Sequence, residues 1–172
     1  MKKLLLGLLV SSSLIACADK APKTESAETP SVAVEHIFKP TYTDNVKIGD
    51  QSNVLIVEKL HEAVFAKDYA KVGTFLADTA VFYNEDGATI KGKAALIEFM
   101  QKNYAPFNFK NYTVTVSLPV VGDNGEQWVL MWDNADVETP DGKSQKFQWV
   151  DAYRFDNGKI VTFNGFGKSP KP

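Results

Sequence analysis

The longest β-patterned part of the chain, residues 127–166, reads QWVLMWDNADVE-TPDGKS-QKFQWVDAYRF-DNG-KIVTFNGF. Its β-branched and aromatic residues fall into three runs, which turn-forming residues around Pro140 and Asn157 separate. Short connections of this kind join antiparallel neighbours, so these residues predict three consecutive strands of one sheet. A further strand is predicted just before them, at about residues 110–121.

Helical spacing replaces the strand pattern earlier in the chain. Apolar residues recur at three- and four-residue intervals in segments that begin near Ser52, after Asp68 and after Gly92. One strand, at residues 79–83, lies between the second and third of these segments. Helices followed by a run of hairpin strands predict an α+β fold, with an antiparallel sheet wrapped on one side by helices.

The amino-acid composition excludes several classes of function. Of 172 residues, 44% are hydrophobic, which is enough for one domain with a core. The formal net charge is only −2, so no basic surface for nucleic acid is expected. Two histidines and one cysteine are too few for a zinc cluster or a disulfide framework. We therefore predict neither a metal, a cofactor nor a nucleic-acid partner.

The first 16 residues predict a secretory signal peptide, because Lys2 and Lys3 precede an apolar run too short to span a membrane. The following Leu14-Ile15-Ala16-Cys17 resembles the bacterial lipobox, in which the cysteine is acylated and becomes the first residue. Cys17 is the chain's only cysteine, although an ordinary signal peptide with a stray cysteine remains the alternative. We therefore predict an exported protein anchored by lipid to the bacterial cell envelope. In resembling proteins of Gram-negative bacteria, an Asp directly after the cysteine favours the inner membrane. Here Ala18 holds that place and Asp19 follows it, which favours the outer membrane.

Residues 17–45 are predicted to form the lipid anchor and a flexible tether. They contain Pro22, Pro30 and Pro40 among polar residues, a composition that buries little surface of its own. The folded domain is then predicted to span residues 46–172.

The loop at Pro140 decides which residues share a face of the sheet. A four-residue loop, residues 140–143, pairs Thr139 with Ser144 and brings all three tryptophans to one face. A three-residue Pro-Asp-Gly loop with a bulge shifts the register by one and moves Trp128 and Trp132 to the other face. The first register is favoured here, because it gathers the tryptophans on the covered face.

Asp151 is the chemically unusual residue, because on either register it alternates with Trp149 and Tyr153 on the aromatic side of its strand. Burial among rings disfavours an ionised carboxylate, so we expect a raised pKa for Asp151. Two roles are open: a structural carboxyl bonded to a neighbour such as Asn134, or an acid that contacts a ligand. Three other carboxylates are expected only to solvate an exposed hairpin arm: Asp133, Asp136 and Glu138.

Several segments resemble the nuclear-transport-factor-2-like superfamily: residues 65–68 (FAKD), 75–82 (FLADTAVF), and Gly87 with 90–96 (IKGKAAL). Residues 150–161 (VDAYRFDNGKIV) are similar to the last hairpin of its ketosteroid isomerase and SnoaL-type polyketide cyclase branches. The resemblance covers about residues 46–168. It implies a strongly curved antiparallel sheet that forms a cone, with three helices packed over an apolar pocket, and often a dimer.

The resemblance to ketosteroid isomerase is incomplete at the catalytic positions. In that enzyme a protonated Asp and a Tyr form an oxyanion hole, while a second Asp moves the proton. Asp151 falls at the place of the protonated Asp, but Asn84 stands where the base is expected, and an amide cannot accept a proton at neutral pH. Glu85 or Asp86 in the adjoining turn could take the place of this base, although their position is more typical of solvated turn residues. His61 stands near the place of the oxyanion Tyr and is a further candidate donor or base.

Three hypotheses follow. The favoured one is a pocket that binds a small, largely apolar molecule, with Asp151 as a donor and walls formed by Phe82, Asn84, Trp132, Trp149 and Tyr153. The alternative is an isomerase or cyclase of the ketosteroid-isomerase or polyketide-cyclase type, with Asp151 and His61 as candidate catalytic residues. The third is a protein–protein module that uses the face bearing Val129, Met131, Val150 and Ala152 as a surface for a homodimer or another partner.

Overall fold

The computed structural model describes residues 36–43, 45–84 and 86–168 of the chain. The predicted signal peptide, Cys17, most of the predicted tether and Glu85 lie outside the described residues. From Phe38 onward the chain forms one compact unit. Within the described ranges, no helix is long and apolar enough to cross a membrane.

The three predicted helices are present: α1 (Gln51–Phe65), α2 (Tyr69–Phe75) and α3 (Lys93–Tyr104). Asp50 caps α1, because its carboxylate accepts a hydrogen bond from the backbone N–H of Ser52. Asp68 caps α2 in the same way, accepting from the N–H of Lys71. Gly92 precedes α3 with a φ of 90°, a backbone conformation that favours glycine.

Seven strands form one sheet: β1 (Val46–Ile48), β2 (Leu76–Tyr83), β3 (Thr89–Lys91), β4 (Asn108–Gly122), β5 (Gln127–Glu138), β6 (Ser144–Asp156) and β7 (Lys159–Lys168). Their order is β1-β4-β5-β6-β7-β2-β3. The sheet is curved and does not close, and with the three helices it confirms the predicted α+β cone. It is mixed rather than wholly antiparallel, because β2 pairs with β7 in parallel. Turn residues in the sequence predict only the pairing of consecutive strands. The pairing of β2 with β7, which are far apart in the chain, could therefore not be predicted from them.

The β5–β6 hairpin has the second of the two registers considered above, the one with a three-residue loop. Glu138 pairs with Ser144, and the N–H of Thr139 donates to the carbonyl of Lys143 at 2.8 Å. This leaves a three-residue loop whose last residue, Gly142, has a φ of 82°. A type I turn followed by a left-handed glycine is the usual conformation of such a loop. The preferred pairing of Thr139 with Ser144 is therefore wrong by one residue.

The shift by one residue exchanges the two faces of β5. Trp132 is 37% exposed on the outer face, so the prediction that it walls the pocket is wrong. The inner face of β5 carries the buried side chains of Val129, Met131, Asp133, Ala135 and Val137. The predicted partner face is therefore wrong for Val129 and Met131, whereas Val150 and Ala152 do lie on the outer side of β6. The predicted register failed because it assumed that every tryptophan would be covered, whereas a half-exposed Trp is tolerated on an open sheet face.

The core lies between the helices and the inner face of the sheet. Fully or almost fully buried apolar side chains come from both layers: Val57, Leu60, Val72, Leu96, Met100, Val129, Met131, Tyr153 and Ile160. Because α1 and α3 pack across a curved sheet, the space between them and the strands is only partly filled. That space is the candidate site.

Candidate functional site

A cavity of about 390 Å³ opens between α1, α3 and the inner face of the sheet. This volume lies within the usual range for small-molecule sites. Most of its wall is aromatic or aliphatic, with side chains from helices and strands alike: Phe65, Phe82, Phe99, Phe109, Phe147 and Trp149. Its titratable side chains are His61, Tyr104, Tyr112, Asp133, Asp151 and Tyr153.

The cavity brings together six residues that the sequence had singled out: His61, Phe82, Asn84, Trp149, Asp151 and Tyr153. Trp132 is not among the lining residues, for the reason of register given above. Asp86 belongs to the turn after β2, where its carboxylate accepts a hydrogen bond from the N–H of Ala88 at 2.8 Å. Glu85 and Cys17 lie outside the described residues.

Asp133 lines the cavity, although the sequence predicted it on an exposed arm. It is only 4% exposed, because the observed register turns the odd-numbered residues of β5 inward. Asp136 and Glu138 lie on the outer side and are partly exposed. The sequence does contain a signal for Asp133, because it alternates along β5 with the apolar residues Val129, Met131, Ala135 and Val137. The predicted register did not follow this signal, since it was chosen to place the three tryptophans on the covered face.

Tyr112 is a second cavity residue that the sequence did not indicate. Phe109 and Tyr112 are three residues apart, so a regular strand would place them on opposite faces. At Asn111 the backbone has a φ of 51°, and the pairing of β4 with β5 shifts there by a bulge. The extra residue turns both rings to the cavity. The Asn111 amide supports the bulge by donating to Asp136 Oδ2 at 2.7 Å.

The polar wall is a continuous series of five side chains, which we call the Asp–Tyr–His–Tyr–Asp chain. The Tyr112 hydroxyl oxygen lies 2.6 Å from Asp133 Oδ2 and 2.5 Å from His61 Nδ1. The Tyr153 hydroxyl oxygen lies 2.8 Å from His61 Nε2 and 3.0 Å from Asp151 Oδ2. The five groups come from α1, β4, β5 and β6, so the tertiary fold assembles them.

Burial sets the ionisation of these groups. Loss of hydration lowers the pKa of His61 from its ordinary value of 6.5 to about 4, so the imidazole is neutral near pH 7. The same effect raises the pKa of Asp133, against the opposing influence of the hydrogen bond from Tyr112. Burial also raises the pKa of both tyrosines, Tyr112 and Tyr153, whose hydroxyls therefore stay protonated.

One oxygen of the site has no protein partner. Asp133 Oδ1 is buried and makes no hydrogen bond to any of the residues that the structure describes. Buried carboxyl oxygens without a partner are rare, since each forgoes its hydration. Because Asp133 also lines the cavity, its carboxyl group is a candidate contact for a bound molecule.

Three of the side chains could also serve a metal ion. His61, Asp133 and Asp151 each bring one ligand atom to within 4.8 Å of the others, and imidazole with carboxylates suits divalent cations. Both imidazole nitrogens, however, are at hydrogen-bond distance from tyrosine hydroxyls. A cation would have to displace at least one of these contacts, so the arrangement is described better as a hydrogen-bond network.

Gly165 leaves space in the cavity beside the carboxyl group of Asp151. A Cβ added at Gly165 would lie 3.3 Å from Asp151 Oδ1 and 3.6 Å from Phe82 Cε2. Both distances are tight or ordinary contacts, so a side chain here would occupy part of the cavity next to Asp151. Asn134, the partner expected for Asp151, lies on the opposite face of β5.

Solved structures with this fold carry several different functions. The ketosteroid isomerase of Mycobacterium sp. is 21% identical, with a TM-score of 0.56, and the match covers 68% of this chain and 97% of that one. An epoxide hydrolase of the LEH-like type from M. tuberculosis is 17% identical, with a TM-score of 0.55 and coverages of 67% and 82%. A computationally designed 17-OHP binder is 19% identical, with a TM-score of 0.55 and coverages of 70% and 100%. At these identities the likeness shows the fold alone.

A comparison with curated proteins finds no match. A family model, described as the SnoaL-like domain, matches residues 57–163. The matched range is more than half of the chain, and it contains all five members of the Asp–Tyr–His–Tyr–Asp chain. The resemblance to the nuclear-transport-factor-2-like fold is thereby confirmed, and the chain belongs to the SnoaL-like domain family.

Proposed function

We propose that this domain is an acid/base enzyme of the isomerase or cyclase type, acting on a small, largely apolar carbonyl compound. The observation that carries the proposal is the pair of buried carboxyl groups, Asp133 and Asp151, in the wall of an otherwise apolar cavity. Binding alone was the favoured sequence hypothesis. The second carboxyl in the cavity, Asp133, was not indicated by the sequence, and it favours the catalytic hypothesis over binding alone.

The chemistry follows from what two carboxyls do in a dry site. Moving a proton next to a carbonyl needs a base for the C–H and a donor for the developing negative oxygen. A carboxylate is the base and a neutral carboxylic acid is the donor, when their surroundings keep one protonated and the other not. Asn84, at the same wall, is an amide donor for a ligand oxygen rather than a base.

The apolar remainder of the cavity defines the substrate class. Rings such as Phe82, Phe99 and Trp149 favour a compact apolar body, whereas no lysine or arginine is among the described residues that line the cavity to hold an anion. The ketosteroid isomerase among the structural relatives is consistent with this class of reaction, as the designed 17-OHP binder is with an apolar ligand. Neither relative assigns a substrate to this chain.

Deuterium exchange tests the reaction class without knowledge of the product. We expect the protein in D₂O to speed the exchange of protons next to the carbonyl in some members of a panel of cyclic β,γ-unsaturated ketones and 1,3-diketones. Asp133→Asn and Asp151→Asn should each lower the exchange rate roughly 10²–10⁴-fold. Asp156→Asn is the matched control, because Asp156 is an exposed carboxylate on the same strand as Asp151. Ligand binding without any exchange would leave the protein a binder.

We further propose that the chain is exported and anchored by lipid at Cys17, with the outer membrane favoured. The support is the sequence Leu14-Ile15-Ala16-Cys17 after a positive and apolar N-terminal segment. Acylation needs the cysteine sulfur, so Cys17→Ser should abolish labelling by a radioactive fatty acid. Label retained by Cys17→Ser would contradict the anchor.

A second candidate function, association with another copy of the chain, rests on the outer face of the sheet. Val116, Trp132, Val150 and Phe166 are directly paired across β4, β5, β6 and β7. Their side chains are 37–63% exposed. A row of four exposed apolar side chains on neighbouring strands is typical of a protein–protein contact. This proposal is compatible with the enzyme, since the cavity opens on the other face.

A further inference from the structure

The Asp–Tyr–His–Tyr–Asp chain contains four hydrogen bonds, and each of them requires one proton. The hydroxyls of Tyr112 and Tyr153 supply one proton each, and a neutral imidazole supplies a third. A fourth proton is therefore needed if all four short contacts are hydrogen bonds. It must reside on Asp133, on Asp151 or on a doubly protonated His61.

Two arrangements place the fourth proton on a carboxyl and keep the imidazole neutral. In the first, Asp133 donates to Tyr112, Tyr112 to His61 Nδ1, His61 Nε2 to Tyr153, and Tyr153 to the Asp151 carboxylate. In the second, every donor and acceptor is reversed, and Asp151 holds the proton while Asp133 is the carboxylate. The total charge is the same in both. Burial disfavours the third arrangement, an imidazolium between two carboxylates, as the resting form.

We propose that the Asp–Tyr–His–Tyr–Asp chain is a proton relay, which carries one proton between Asp133 and Asp151 and so exchanges their roles as acid and base. This inference rests on the proposed acid/base function and deepens it. Four short proton shifts convert one arrangement into the other, through the imidazolium form. No proton enters or leaves the chain in the exchange, so it needs no water.

The relay explains how both carboxyls take part in one turnover. With Asp133 as the carboxylate, this carboxylate accepts a proton from a substrate C–H, and the electron pair of that bond moves towards the carbonyl oxygen. Asp151 gives its proton to another atom of the same substrate, which completes the isomerisation. Asp133 now holds a proton and Asp151 is ionised. The turnover itself has thus exchanged the two roles, and in the empty site the four proton shifts of the relay exchange them between the two starting arrangements, so that either carboxyl can serve as the base.

The titratable groups around the relay come from every element packed on it. His61 is on α1, Tyr112 on β4, Asp133 on β5, and Asp151 and Tyr153 on β6. Two further groups approach from the helices: Tyr104 of α3 at the cavity wall, and the exposed Glu58 of α1, whose charge acts on Tyr112. Neither interrupts the four contacts.

Nitrogen-15 NMR of the imidazole tests the relay directly. The chain has only two histidines, so His36→Gln assigns the signals of His61. In the wild type near neutral pH we expect both ring nitrogens to show signals averaged between protonated and unprotonated forms. A spectrum that stays the same after EDTA treatment is also expected, since no bound cation is needed.

Two conservative variants divide the relay on either side of the imidazole. Tyr153→Phe leaves His61 with the Asp133 side, so a mildly alkaline sample should hold the Nδ1–H form, with Tyr112 donating to Asp133. Tyr112→Phe leaves the Asp151 side and should hold the Nε2–H form. Opposite tautomers in these two variants, with averaging in the wild type, support the relay.

Three outcomes would overturn the relay: the same tautomer in all three proteins, an imidazolium throughout, or signals that change when EDTA removes a cation. If a phenylalanine variant does not fold, carbon-13 titration of the wild-type aspartates gives the answer. Asp133 and Asp151 should then titrate as a coupled pair that shares one proton near neutral pH, and independent titration would contradict the relay. None of these measurements uses a substrate, so the relay and the deuterium-exchange proposal can fail separately.

Discussion

Single residues of the site combine burial with chemistry that burial normally opposes. Asp133 is 4% exposed and has one oxygen that makes no hydrogen bond to the part of the chain that the structure describes, and His61 is an imidazole held neutral by loss of hydration. Such groups add little to stability, because hydration is lost on folding and is only partly replaced. Their presence together at one cavity wall is therefore better explained by function than by packing.

The lowered pKa of His61 predicts a pH-dependent stability that one substitution should remove. Between about pH 4 and 6.5 the unfolded chain binds a proton at His61 that the native state does not. Stability from this residue is thus fully present above pH 6.5 and is lost as the pH falls towards 4. Compared with His61→Gln, the wild type should lose up to about 3 kcal/mol across this interval.

Urea unfolding of both proteins over this pH range measures the difference. The raised pKa of Asp133 acts in the opposite sense, since its contribution is lost as the pH rises through the folded value. That contribution is present in both proteins and largely cancels from the comparison. His36→Gln is the matched control, because His36 is exposed and should follow the wild type. A difference between wild type and His61→Gln that does not vary with pH would contradict this account.

At the scale of the elements, one bulge in β4 positions the hydroxyl that joins Asp133 to His61. Asparagine adopts the left-handed backbone region more readily than most residues, and Asn111 has a φ of 51°. Without the extra residue, Tyr112 would point to the outer face. The cavity chemistry therefore depends on a conformation three residues into a strand, at a distance from either carboxyl in sequence.

Two substitutions at Asn111 separate backbone conformation from hydrogen bonding. Asn111→Gly removes the hydrogen bond to Asp136 but tolerates the left-handed backbone. Asn111→Val disfavours that backbone, so it should destabilise the fold by about 1–3 kcal/mol more than Asn111→Gly. It should also shift the His61 nitrogen signals towards those of Tyr112→Phe. Thermal unfolding and the same NMR spectra provide the measurement, and equal behaviour of the two variants would contradict a role for the bulge.

At the scale of the whole molecule, the two faces of the sheet differ in the side chains that they present. The inner face carries the cavity and its carboxyls, while the outer face presents the apolar row Val116, Trp132, Val150 and Phe166. Burying this row against a second copy would remove apolar surface from water. The outer face is therefore the surface on which self-association is expected.

Charge on the outer face should prevent self-association without affecting the cavity. We expect the chain from residue 18 onward to sediment as a dimer, and Trp132→Lys or Phe166→Lys to sediment as monomers. Glu98→Lys places the same side chain on exposed α3 and is the control. A monomeric wild type at the highest soluble concentration would contradict this role of the face.

The boundary of the domain is also a property of the whole molecule. The segment before β1 touches the domain, since Tyr42 packs edge-on against Trp128 with ring centroids 6.3 Å apart. The Thr43 hydroxyl donates to Asp123 Oδ1 at 2.7 Å. Residues 46–172 should nevertheless fold cooperatively, about 1–2 kcal/mol less stable than residues 38–172. Thermal melts compare the two chains, and the absence of a transition for residues 46–172 would move the boundary towards Phe38.

Local pattern was sufficient for the elements of this fold. The spacing of apolar residues predicted α1, α2 and α3, and alternation with turn residues predicted β4 to β7, because both signals arise within a dozen neighbouring residues. The short β1 and β3 carry too few residues for such a signal. Alternation along β6 had already placed Trp149, Asp151 and Tyr153 on one face, and family resemblance then indicated the cone and a pocket for that face.

Tertiary structure alone decided which chemistry the pocket contains. The conformation of Gly142 set the β5–β6 register and so turned Asp133 inward and Trp132 outward, a choice that the alternation of β5 permits in either direction. The contacts of His61 join residues 51 and 92 positions apart in sequence, which no local pattern records. Ionisation follows from the same assembly, because the pKa of a side chain depends on the burial and charges that distant segments bring to it.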